Sequence, residues 1–175
     1  MCIRDRNGGS HLSYISKWIK RGIDFGVISE SGLPGVADPG TDIVRLAHQA
    51  GYNISPLSGP SSITLALSAS GMNGNSFAFN GYLPIKDGDL KSKLQYLEGV
   101  IKKTGQTQIF IETPYRNNRI VGSILKNIKD QQLNLCIAVD ISGKEESIKT
   151  KTIAHWKNSA AIQLPKLPAI FLLGN

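Results

Sequence analysis

Apolar positions along the chain recur with two spacings. At helical spacing, Leu12, Ile15 and Ile19 stand among polar and basic residues, which predicts a helix over residues 11–21 that Gly22 ends. Ile43, Val44, Leu46 and Ala47 mark a second over 41–50, with Gly51 as its stop. The uncharged run SSITLALSASG predicts a helix from Ser61, buried on most sides and closed by Gly71. Further helices are predicted over 89–104, 116–129 and 153–159. Short apolar runs read as strands over 24–29, 52–57, 77–83, 107–112, 135–139 and 169–173. Residues 143–151 read as a polar hairpin or turn, and 84–88, with proline, glycine and charge together, as a linker. Strands alternating with helices predict an α/β architecture of two small domains, residues 1–83 and 84–175.

Three turns follow predicted strands, where ligands bind in α/β proteins. The first, within VISESGLPGVADPG at 27–40, is dense in special backbone residues and carries Glu30 and Asp38. The second, SGPSS, leads into the helix at Ser61 and Ser62, whose free amides suit an electron-rich group or simply a serine cap. The third, IETPYR, places Glu112 directly after an apolar strand. A carboxylate there needs a partner, and Arg116 lies one helical turn on, so an ion pair and a ligand role are both open.

Composition narrows the possibilities. No apolar run is long enough to span a bilayer and no secretory leader pattern is visible, which predicts a cytoplasmic protein with no membrane partner. Cys2 and Cys136 are the only cysteines, too few for a disulfide scaffold or a zinc site. His11, His48 and His155 are isolated, so no metal centre is predicted. The formal charge of +7 suits either a polyanionic partner such as RNA or a solvated lysine surface. Dinucleotide, P-loop, serine-hydrolase-elbow and zinc-protease motifs are absent.

The ordered series SESGLPGVADPG, LSGPSSITLALSASGM, FAFNGYLP and IFIETPYR resembles the tetrapyrrole methylase superfamily. Within it, the series is most similar to the branch that methylates ribose 2′-hydroxyls of small-subunit ribosomal RNA. Glu30, Leu33, Ser58 and Ile111 depart from that branch's usual residues. Residues 1–25 offer no counterpart of its first strand and cofactor loop, so an N-terminally truncated first domain is expected. The resemblance implies S-adenosylmethionine bound in a cleft between two α/β domains, a homodimer, and ribosomal RNA or the small ribosomal subunit as partner. It implies cofactor contacts at Ser31, Gly32, Pro34, Ser61, Ser62, Glu112, Ala138, Asp140 and Ala169, with Pro168 adding backbone contacts. For a catalytic base, Glu30, Asp38 and Glu112 stand as candidates without a choice among them. A tetrapyrrole C-methyltransferase of the same fold, and a non-catalytic remnant, are the alternatives.

Overall fold

A computed structural model describes residues 2–3, 12–159 and 162–175. His11, where the first predicted helix begins, lies outside the described residues. The chain forms two units, Met1–Ser61 and Ser62–Asn175. The linker reading set the boundary at 83/84 instead. Residues 62–83 fall in the second unit because their helix packs on its sheet and their strand pairs within it.

The first unit has few regular elements. Strands β1 (Cys2–Ile3) and β2 (Gly26–Val27) pair in parallel. Helices α1 (Leu12–Lys20) and α2 (Thr41–Gln49) bring Ile15 and Ile43 together, with Trp18, Phe25, Val27, Leu46 and Tyr52 packed around them. The predicted strand at 24–29 shrinks to the two residues of β2, and residues 53–61 form no strand. Propensity alone does not make a strand, because its amides and carbonyls need a neighbouring ladder. Among the described residues none is present for 53–61.

The second unit is built on a five-stranded sheet of order β3–β4–β7–β5–β6. The strands are β3 (Phe77–Tyr82), β4 (Thr107–Glu112), β5 (Asn134–Val139), β6 (Ser147–Thr152) and β7 (Ala169–Gly174). β3 and β4 run parallel, while β7 is antiparallel to both of its neighbours. The region 143–151, read as a polar turn, supplies β6, whose alternating lysines Lys149 and Lys151 sit at the sheet edge. Charge on an edge strand discourages pairing with another chain.

Alternation along the central strands divides two cores. Phe110, Leu135, Ile137, Val139, Ala169, Phe171 and Leu173 face helices α4 (Asp87–Thr104), α5 (Asn117–Asn127) and α6 (Ile153–Asn158). Phe110 stacks on Phe171 at 5.8 Å, and the Trp156 indole donates to the Leu135 carbonyl at 2.8 Å. Ile109, Cys136, Ala138, Ile170 and Leu172 face the opposite way, onto Ile63, Ala66 and Leu67 of α3 (Ser62–Ser70). α3 is buried on that stripe alone. Leu65 is 38% exposed, so the expectation of burial on most sides is not met. Its lack of charge had suggested an all-round core helix, but serine, threonine and alanine sit comfortably in water.

α4 shows why its ends fall where they do. Asp87 and Asp89 lie in its first turn and Lys102 and Lys103 in its last, matching the helix dipole, and Gly105 adopts the left-handed conformation (φ 68°) that closes it.

Candidate functional site

The sheet's register gathers one group of predicted residues at one end of the second unit. Ala169, the first residue of β7, lies opposite Glu112 on one side and Val139 on the other. The Asp140 amide extends this line by donating to the Pro168 carbonyl at 2.9 Å. Ala138 sits one position inside, opposite Ile170. Ser62 belongs to the same end, because α3 runs against the sheet in a defined sense. Beyond its C-terminus, Asn73 accepts from the Thr107 hydroxyl and Met72 packs on Gly174, both at the far end of the strands. Its first turn, at the opposite end of the helix, therefore lies toward the end that holds Glu112 and Ala169, and Ile63 shares one core cluster with Ala138 and Ile170. Ser62 is exposed there and Ser61 is buried.

Glu112 is committed to protein partners. Its side chain is 1% exposed and lies 2.8 Å from the Arg116 guanidinium, while its other oxygen accepts from the Thr113 amide at 2.7 Å. The contact between Glu112 Oε2 and Arg116 Nη2 is close, but that oxygen still has no aligned hydrogen bond. It reads as an ion pair with an unused acceptor. Both pairings weighed from sequence, to Arg116 and to backbone, are thus formed. Asn117, fully buried beside Arg116, donates to the Leu167 carbonyl at 2.8 Å and so ties α5 to the segment that opens β7. Sequence reading missed Asn117. The only signal was a pair of asparagines at a helix start.

The turn after β5 is tightly specified. Asp140 and Ser142 adopt positive φ angles of 50° and 64°, unusual for residues with a side chain. The Asp140 carboxylate accepts from the Glu145 amide at 2.9 Å, and Glu146 accepts from the Ser142 amide at 2.7 Å. A side chain at Gly143 would run into the Asp140 carboxylate. Asp140 therefore builds its turn, leaving backbone rather than carboxylate at the strand end.

The remaining predicted residues lie in the first unit, in the loop between β2 and α2. Glu30, Ser31 and Gly32 are exposed, and Pro34 and Asp38 half-buried. The loop folds on itself: the Gly35 amide donates to Pro39 at 3.2 Å and the Val36 amide to Leu33 at 3.2 Å. The Ser29 hydroxyl accepts from the Ser31 amide at 3.2 Å. Gly40 has φ 134°, and a side chain there would press on Val27 and on the Gly35 backbone. Glycine is required at that point.

Among the described residues, no helix is long and apolar enough to cross a membrane and no cluster of metal-binding side chains forms.

Comparison with known proteins gives consistent relatives. No family model matches the chain. A ribosomal RNA small subunit methyltransferase I from Vibrio cholerae is 38% identical over 65% of this chain and 38% of its own length. The protein of that name from Bacillus subtilis is 30% identical over 91% of this chain and 53% of its own length. The chain thus spans about half the length, or less, of these curated relatives. Among solved structures, the methyltransferase CobJ superposes over 93% of the chain and 69% of its own, with TM-score 0.59 and 17% identity. Cobalt precorrin-4 methyltransferase CbiF superposes over 97% and 72%, with TM-score 0.55 and 12% identity. A uroporphyrin-III C-methyltransferase from Thermus thermophilus, solved with S-adenosyl homocysteine, superposes over 97% and 75%, with TM-score 0.50 and 18% identity.

Proposed function

We propose, for a chain that belongs with the ribosomal RNA small subunit methyltransferase I proteins and has the tetrapyrrole methylase fold, an S-adenosylmethionine-dependent methyltransferase activity toward RNA ribose. The observation that carries this reading is the convergence of Glu112, Ala138, Asp140, Ala169 and Ser62 at one end of a sheet in a chain with these relatives. Tetrapyrrole C-methylation is the second reading, favoured by the structural neighbours' names. The sequence relatives and the +7 charge favour RNA.

The residues present fit the cofactor chemically. Glu112, held by Arg116 and the Thr113 amide, fixes the end of β4 beside which the nucleoside would lie. Ala138 and Ala169 are small buried residues at the sheet end, and the amides in the first turn of α3 suit a carboxylate.

When bound, S-adenosylmethionine supplies a methyl group already activated by its sulfonium. The protein's task is then mainly alignment, together with acceptance of a hydroxyl proton. Glu112, held by Arg116 and the Thr113 amide, acts by positioning the β4 end. Glu30 and Asp38 remain as proton acceptors. The protein works as a homodimer in the cytoplasm.

Titration calorimetry with S-adenosylmethionine tests this reading, using Ser62→Asp as the paired variant. Aspartate in a helix's first turn favours the helix, so folding is kept while negative charge enters the site. The account expects binding by the parent chain and weakening of about ten-fold or more in the variant. A parent chain that binds no cofactor removes the enzyme reading. Equal affinities assign Ser62 to helix capping alone.

A further inference from the structure

The rim above the ends of β3 and β4 exposes apolar side chains on a firm base. Tyr115, on the 3-10 turn Pro114–Arg116 that follows β4, is 83% exposed. Tyr82, at the end of β3 opposite Ile111, is 61% exposed, and Ile85 just beyond it 66%. The backbone under them is tied down. Arg119 donates to the Ile85 carbonyl and to Asp87, the latter at 2.6 Å. Asn118 and Leu164 exchange hydrogen bonds of 3.3 and 2.8 Å, and Asn117 holds Leu167. These bonds bring residues 164–167 beside Tyr115, and Lys166 Nζ lies 5.7 Å from the centre of its ring.

Nothing in the packing calls for a tyrosine so exposed. A flat aromatic face with an ammonium beside it matches an unpaired nucleotide, whose base stacks while its phosphate meets the cation. The rim's charge is favourable too. Lys166 and Lys86 are exposed, and Asp87 is matched by Arg119.

We propose that Tyr115 is a stacking platform for an unpaired base of the RNA substrate, with Lys166 contacting the adjoining phosphate. The proposal rests on the methyltransferase reading and extends it by placing the RNA against the rim next to Glu112.

The test is fluorescence anisotropy of a labelled single-stranded RNA oligonucleotide across a salt series, with S-adenosylmethionine calorimetry and sedimentation in parallel. The expected result is a loss of about ten-fold or more in RNA affinity for Tyr115→Ala, with Tyr115→Phe within about two-fold of the parent. Lys166→Ala is expected to lower the logarithmic salt slope by about 0.7. Cofactor affinity stays unchanged in all three variants. Equal RNA affinity for parent and Tyr115→Ala overturns the platform and leaves the methyltransferase reading standing. Equal losses in Tyr115→Ala and Tyr115→Phe overturn stacking. A shift in oligomeric state with RNA affinity unchanged gives the rim to a second copy of the chain, against the proposal. A parent chain that binds cofactor but no RNA overturns both the platform and the RNA assignment.

Discussion

Glu112 shows how one carboxylate can be read two ways and then resolved by its neighbours. Its sequence position at a strand end suits a catalytic base. Its contacts with Arg116 and the Thr113 amide fix it at the end of β4, and we propose that it acts there by positioning. Replacing it with glutamine removes the charge opposite a mostly buried guanidinium, and about 3 kcal/mol of stability is expected to go with it. The kinetic expectation is more discriminating. A positioning role leaves the pH–rate profile of Glu112→Gln with its original midpoints while the KM for cofactor rises. Loss of the acidic limb of that profile would return the base to Glu112.

At the scale of elements, Glu98 joins α4 to the turn after α5. It is buried, accepting from Lys102 at 3.0 Å and from the Lys129 and Asp130 amides at 3.2 and 2.8 Å. Burial alone would raise its carboxyl, but the Lys102 ammonium and the two amides outweigh it and hold the carboxyl below its ordinary value of 4.5. A lowered folded value means that the stabilisation is present above the unfolded value and is lost as pH falls through the folded one. Thermal unfolding followed from about pH 6 down to about pH 3 is expected to show a steeper acid loss for the parent than for Glu98→Gln. Parallel curves would show that Glu98 does not link folding to protons.

Which elements could be read from sequence follows from where their hydrogen bonds go. β4 carries its own signal: an apolar run with buried neighbours on both faces, and its predicted bounds match Thr107–Glu112. β6 does not, since Ser147–Thr152 is polar and becomes a strand only through β5. The converse failure is residues 52–57, strand-like in composition yet without a ladder among the described residues. The strand-end residues Glu112, Ala138, Asp140 and Ala169 were named from motif resemblance, and the register explains why they cluster. Asn117 and the Tyr115–Lys166 pair depend on contacts between segments far apart in sequence, which no local pattern announces.

For the whole molecule, the fold is that of the tetrapyrrole methylases, and the sequence relatives are ribosomal RNA methyltransferases. The names of the structural neighbours include a uroporphyrin-III and a cobalt precorrin-4 methyltransferase and those of the sequence relatives a ribosomal RNA methyltransferase, so the acceptor has to be argued from sites rather than from architecture. The RNA acceptor proposed above rests on the exposed rim and the positive charge. The most direct measurement is transfer of label from methyl-tritiated S-adenosylmethionine, with small-subunit ribosomal RNA and a uroporphyrinogen offered as competing acceptors and the labelled RNA digested to nucleosides. The account predicts label in a 2′-O-methylated nucleoside and none in the macrocycle. Label in the macrocycle, on an RNA base, or in neither acceptor would contradict it.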